Sequence, residues 1–82
     1  MRIYVAGRYS DDNILGCLSN IRRGIKICAR LVKAGHTPYC PWLDFLFHFF
    51  EEDLVEEDYY NYGLRWLEVC EEVWVLPNSE IL

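Results

Sequence analysis

The chain has 82 residues, of which 52% are apolar and 16% aromatic, so disorder is excluded and one domain with a core of moderate size is expected. No apolar run approaches the roughly 20 residues of a membrane span, and the start is not a signal peptide, so we expect a cytoplasmic protein without membrane contact. The net charge of −5 argues against binding to duplex nucleic acid, whose affinity depends on phosphate neutralisation.

The charges are unevenly distributed along the chain. Residues 1–42 contain seven Lys or Arg and two Asp, whereas residues 43–82 contain one Arg and eleven Asp or Glu. This opposition favours a homo-oligomer in which a basic face meets an acidic one, and a solvated charged surface is the alternative. The four cysteines form no CxxC pair and the two histidines do not fall at zinc-ligand spacing, so we expect reduced, mostly buried thiols, no metal and no cofactor.

The first predicted element is a buried strand followed by a polar loop. Residues 3–6 form a continuous apolar run, typical of a parallel strand covered on both faces. Gly7 allows a sharp turn and close approach to a ligand, Tyr9 and Ser10 present hydroxyls, and Arg8 presents a guanidinium suited to phosphate. Ligands bind at the carboxyl ends of parallel strands, so we predict a ligand-binding loop here; an ordinary strand-to-helix turn is the alternative.

A helical pattern follows, from about Ser19 to Gly35. Ser19 fits the N-cap position, and Gly35 fits the left-handed position that ends a helix. Apolar or small residues recur at three- and four-residue steps and form the predicted packed face. They are Ile21, Gly24, Ile25, Cys28, Leu31 and Val32.

Residues 36–41 predict a short second strand at a sheet edge, because Pro38 and Pro41 limit its ladder bonds. An aromatic block at helical spacing comes next, and it favours either a core helix over the sheet or a lid or self-association surface. The residues assigned to that interface are Trp42, Phe45, Phe49 and Phe50. His48, surrounded by phenylalanines, is expected to be packed rather than catalytic.

The last third of the chain predicts a helix and a strand. The acidic run 51–58 is interpreted as a solvated loop or helix end. Tyr60, Leu64 and Leu67 mark an amphipathic helix that ends near Cys70, and residues 73–76 form the final strand. Alternating strands and helices predict an α/β fold with a parallel sheet of about three strands, and an edge that is exposed or covered by a partner.

Three ordered stretches carry a resemblance to a known family. They are Tyr4-Val-Ala-Gly-x-Tyr-Ser10 with Asn20-Ile21, Ala29-x-Leu31-x-x-x-Gly35-His36-x-Pro38-x-x-Pro41, and Leu67-x-x-Cys70-Glu71-x-Val73-Trp-Val-Leu-Pro77. Together they resemble the nucleoside 2-deoxyribosyltransferase-like family, which includes deoxynucleoside 5′-monophosphate N-glycosidases.

The resemblance implies a small three-layer flavodoxin- or Rossmann-like sandwich, assembled into oligomers that share a site. It also implies a nucleoside or nucleotide ligand, bound here by Gly7, Arg8, Tyr9, Ser10 and Asn20. In active members a glutamate attacks the anomeric carbon, in the manner of retaining glycosidases.

Two departures from the family pattern argue against catalysis. The family's nucleophile is the glutamate of an S-x-G-x-x-x-E motif. In this sequence Ser79 matches the serine of the motif and Ile81 replaces its glycine, and the sequence ends at Leu82, before the position of the glutamate. The family aspartate that serves the base is Gly63 here, and Asp58 is the candidate replacement as a base contact.

We therefore expect one shortened domain, residues 1–82, without the family's last strand and helix. Its expected function is nucleoside or nucleotide binding, with N-glycosidic bond cleavage or transfer if the chain is active. The alternative is a non-catalytic accessory module of phage type that sequesters a nucleotide or docks on a protein partner.

Overall fold

The computed structural model describes residues 1–77 and has a mixed α/β fold. Three parallel strands form one sheet in the order β2-β1-β3: β1 (Arg2–Ala6), β2 (Thr37–Tyr39) and β3 (Glu72–Val75). The helical elements are α1 (Ile14–Lys33), a 3₁₀ helix (Pro41–Leu46), α2 (Phe47–Phe50) and α3 (Glu56–Val69). The predicted order of elements and the parallel sheet are confirmed. No helix within residues 1–77 is both long and apolar enough to cross a membrane.

The central strand is the most deeply buried element of the molecule. Ile3 and Val5 of β1 are completely inaccessible to solvent, because they belong to the core cluster that α1 and Trp42 also form. β2 is only three residues long, and Pro38 at its centre has no backbone N–H to donate to the ladder. Gly35, just before it, adopts a φ of +92°, which confirms the predicted left-handed turn after α1.

Helix α1 begins five residues before the predicted start. Asn13 caps it, since the Asn13 side chain accepts a hydrogen bond from the backbone N–H of Gly16 at 2.9 Å. The prediction of Ser19 as N-cap is wrong because residues 14–19 contain no helix-breaking proline and Asn13 offers an equally good cap. Val32 is 60% exposed, so its assignment to the packed face is wrong as well.

Trp42 occupies the centre of the core, between α1 and the loop after β1. Its side chain is only 2% exposed. A Cβ atom at Gly24 would lie 2.1 Å from Cδ2 of the indole, and one at Gly7 would lie 2.8 Å from Cζ2. The prediction of Trp42 as an interface residue is therefore wrong, because the two glycines leave a slot that the ring fills.

The aromatic block does not form one continuous α-helix. The 3₁₀ helix carries its first half, and in that geometry residues three apart lie on the same side. Trp42 and Phe45 both face inward for this reason, and Phe45 packs against the edge of the core. Phe49 and Phe50 are 67% and 84% exposed, so these two remain available to a partner.

Helix α3 is present where it was predicted, but its packed face differs. Tyr60, Leu64 and Leu67 are exposed. The ring of Trp66 instead stacks on Tyr39 of β2, with the two ring centroids 5.2 Å apart. Tyr39 therefore contacts α3 through the Trp66 ring.

Strand β3 and the thiols complete the fold. Each residue of β3 is exposed, as expected for a sheet edge with little helical cover. Cys28 and Cys40 are buried, Cys17 and Cys70 are partly buried, and all four are free thiols, in agreement with the prediction.

Candidate functional site

A cleft of about 340 Å³ opens beside the carboxyl ends of β1 and β2. Four phenol rings and two carboxyl groups form most of its lining. These groups belong to Tyr4, Tyr9, Tyr39, Tyr59, Asp44 and Glu56. The lining of the cleft is therefore mostly aromatic with a few polar groups, as is usual for a small-molecule site.

The strands place two of the tyrosines directly beside each other. Tyr4 points to the opposite face of β1 from Ile3 and Val5, because side chains alternate along a strand. Tyr4 and Tyr39 are partners in the parallel register, and their ring centroids are 5.2 Å apart. The 3₁₀ helix that follows β2 then brings Asp44 to the same side.

Helix α3 forms the opposite wall of the cleft. This wall consists of Glu56, Tyr59 and Gly63, which are three and four residues apart and so lie on one face of the helix. Gly63 lies beside Tyr4, and a Cβ atom there would be 3.3 Å from the tyrosine hydroxyl. The absence of a side chain at residue 63 thus keeps this wall open.

Asp44 and Tyr39 form a hydrogen-bonded pair inside the cleft. The Tyr39 hydroxyl donates to Oδ2 of Asp44. Burial raises the pKa of the Asp44 carboxyl above its ordinary value of 3.8, although the bond from Tyr39 opposes this shift. Burial and the adjacent Asp44 also raise the pKa of Tyr39, so this phenol stays protonated and remains a donor at neutral pH.

Two hydroxyl groups in the cleft lining lack partners. The Tyr9 and Tyr59 hydroxyl oxygens are shielded from solvent and make no hydrogen bond to any group in residues 1–77. A buried polar group without a partner costs about 1–3 kcal/mol. A ligand that supplies a partner to either hydroxyl recovers this free energy.

The loop after β1 is held from its inner side by three side chains. The Trp42 indole N–H donates to the Arg8 carbonyl at 3.1 Å, and the Asn20 amide donates to the carbonyls of Tyr9 and Ser10 at 3.3 and 3.4 Å. The Arg8 guanidinium also donates to the Ser10 carbonyl, at 3.0 Å. Asn20 is 4% exposed, so it positions the loop and does not line the cleft.

The predicted ligand-binding residues are thus divided between two sides of the loop. Tyr9 lines the cleft, whereas Gly7 and Arg8 line a separate depression with Val75 and Leu76, at the carboxyl ends of β1 and β3. Ser10 is exposed and lines neither. The steric role of Gly7 is to admit the Trp42 ring, and its φ is not positive.

Asp58 does not belong to the cleft. Its carboxylate accepts a hydrogen bond from the backbone N–H of Val55 at 2.9 Å, so it caps the first turn of α3. It lines a different pocket, together with Phe47 and Arg65. Ser79 and Ile81, named in the predicted nucleophile segment, lie outside the described residues.

Sequence reasoning missed Tyr39, Asp44 and Tyr59. Tyr39 could have been found, because it lies near the end of the second predicted strand. Ligands bind at the carboxyl ends of parallel strands, and this argument holds for Tyr39 as it does for Tyr9. Asp44 gave no signal, since its position depends on the 3₁₀ turn. Within residues 1–77, no group of three His, Cys, Asp or Glu side chains is arranged to hold a metal ion.

A family model described as "Domain of unknown function (DUF7768)" matches residues 1–81. The chain belongs to this family. No curated protein and no solved structure matches it. The DUF7768 description carries no activity or ligand, so the resemblance to nucleoside 2-deoxyribosyltransferase-like proteins remains a prediction.

Proposed function

We propose that this protein binds a nucleoside or nucleotide in the cleft between β1, β2 and α3. The observation that carries the proposal is the pair of unpartnered hydroxyls, Tyr9 and Tyr59, in a cleft lined by aromatic rings. Aromatic faces suit the stacking of a nucleobase, and the hydroxyls and the Asp44 carboxyl suit its polar edge or the sugar.

The topology supports this location for the ligand. In a parallel sheet of order β2-β1-β3, the chain moves to opposite sides of β1, and ligands in such sheets bind at the carboxyl ends near this switch. The Arg8 depression lies at the β1 and β3 ends, on the other side of the loop from the cleft. In our proposal the base and sugar occupy the cleft, any phosphate lies near Arg8, and the domain is a small flavodoxin- or Rossmann-like sandwich.

The proposal is one of binding rather than catalysis. The carboxyl groups in the cleft are Asp44, which is tied to Tyr39, and Glu56, which is exposed at the start of α3. Neither occupies the position after β3 at which the resembled family carries its nucleophile. N-glycosidic cleavage is therefore tested as a separate outcome, by chromatography of the released base.

Calorimetric titration with the four deoxynucleosides and their 5′-monophosphates tests the binding proposal. Tyr59→Phe removes an unpartnered hydroxyl and is expected to weaken binding roughly 2- to 10-fold, the range of one neutral hydrogen bond. Tyr60→Phe is the matched control, because Tyr60 is 67% exposed and does not line the cleft. If none of the eight compounds binds the wild-type protein, the proposal is wrong.

A second candidate function is docking on a protein partner, including a second copy of the chain. Its support is the exposed pair Phe49 and Phe50 together with the exposed edge strand β3. Sedimentation velocity of wild type and Phe50→Ser measures it directly. A monomer at all concentrations contradicts self-association, whereas loss of an oligomer in the variant supports it.

A further inference from the structure

The polar groups of the cleft are biased toward hydrogen-bond acceptors. When ionised, Asp44 and Glu56 can accept hydrogen bonds but not donate them, whereas the hydroxyls of Tyr9 and Tyr59 can do either. No Lys, Arg, Trp, Asn or Gln side chain lines the cleft within residues 1–77, and the His48 imidazole is the lining side chain that always carries an N–H donor. The two carboxylates therefore favour a ligand whose edge toward them carries donors.

Asp44 is the acceptor with the most restricted orientation. The Tyr39 hydroxyl occupies Oδ2, and none of the hydrogen bonds in residues 1–77 uses Oδ1. Phe45 follows Asp44 in the 3₁₀ helix, and its ring centroid lies 6.0 Å from that of Tyr9. A donor that reaches Oδ1 therefore does so beside aromatic rings, where hydrogen bonds to charged groups are stronger than in water.

We infer that Asp44 selects nucleobases that carry an exocyclic amino group, which donates to its free oxygen. This inference rests on the proposed function and names the ligand class of the same cleft. Adenine, cytosine and guanine satisfy it, because each carries an exocyclic amino group, whereas thymine does not. An otherwise identical base without that group leaves Oδ1 of Asp44 to solvent and loses one hydrogen bond to a charged group.

The test compares each parent nucleoside with an analogue that lacks only the amino group. The pairs are 2′-deoxyadenosine with purine 2′-deoxyriboside, 2′-deoxycytidine with pyrimidin-2-one 2′-deoxyriboside, and 2′-deoxyguanosine with 2′-deoxyinosine. For the pair that binds, we expect the parent to bind at least roughly 10-fold more tightly, as a hydrogen bond to a charged group predicts. Equal affinity within any binding pair overturns the inference and leaves the proposed function standing.

Two variants show whether Asp44 is the selecting group. In Asp44→Asn the single amide oxygen is taken by Tyr39 and an NH₂ group faces the ligand, so the preference should fall to within about threefold. Glu68→Gln removes an exposed carboxylate that does not line the cleft, and it should keep the full preference. An undiminished preference in Asp44→Asn contradicts the inference. Failure of every deoxynucleoside to bind refutes the proposed function and the inference together.

Discussion

Replacing Gly24 by alanine tests the packing of the core most directly. The new Cβ would lie 2.1, 2.3 and 2.4 Å from three atoms of the Trp42 indole, far inside the roughly 3.5 Å of an ordinary contact. The ring has little room to retreat, because its other side meets Gly7 and its N–H is bonded to the Arg8 carbonyl.

The expected cost follows from two opposing effects. Overpacking a filled core costs about 1–3 kcal/mol and occasionally more, whereas glycine to alanine inside a helix contributes about 1 kcal/mol of stability. The clash involves a rigid ring and not a flexible chain end, so we place the overpacking cost at or above the upper limit of that range. The net expectation is a loss of about 2 kcal/mol or more in the free energy of unfolding, out of a typical total of about 5–15 kcal/mol.

Urea denaturation followed by circular dichroism at 222 nm measures this loss. The control is to make the same Gly24→Ala change in the Trp42→Phe variant, because the smaller phenyl ring leaves space for the new methyl group. In that background Gly24→Ala should cost at least about 1 kcal/mol less, a coupling expected between residues in contact. If Gly24→Ala stabilises the wild-type protein, as it does in an exposed helix, the described packing of Trp42 is wrong.

Three further predictions use other parts of the molecule. The pKa of Asp44 is raised in the folded protein, so the ionised carboxylate destabilises the fold at pH values above that pKa. Asp44→Asn should therefore raise the melting temperature at pH 7. This gain should disappear as the pH falls toward 3.8, the ordinary pKa of the group. A gain that persists at acid pH contradicts this. Gly63→Ala should add up to about 1 kcal/mol to the free energy of unfolding measured by urea denaturation, because alanine favours a helix over glycine. The same change should weaken nucleoside binding in calorimetry, because the new methyl group presses on the Tyr4 hydroxyl in the cleft. Unchanged affinity would show that the ligand binds elsewhere. Cys28 and Cys40 should react with a thiol reagent only as fast as the protein unfolds, and rapid labelling of all four thiols in the native state would refute their burial.

The elements themselves could be predicted from local patterns. The apolar run of β1, the glycine after α1 and the alternation of strands and helices each depend on neighbours in sequence, and all three were confirmed. The start of α1 was misplaced because the choice between Asn13 and Ser19 as N-cap depends on which hydrogen bonds actually form. Periodicity alone does not decide between two acceptable caps.

What the sequence by itself determined is the α/β order of elements, the parallel sheet and the place of a polar loop after its central strand. Only the tertiary structure decided that Trp42 fills a slot between two glycines, that Asp44 faces a cleft and that Asp58 caps a helix. The physical reason is that strands and helices follow hydrophobic periodicity within one segment. The burial of the Trp42 ring depends instead on Gly7 and Gly24, which are distant along the chain, so no local pattern records it. The partners of Asp44 and Asp58 are near in sequence, but which of the possible local hydrogen bonds forms depends on the 3₁₀ turn and on the start of α3.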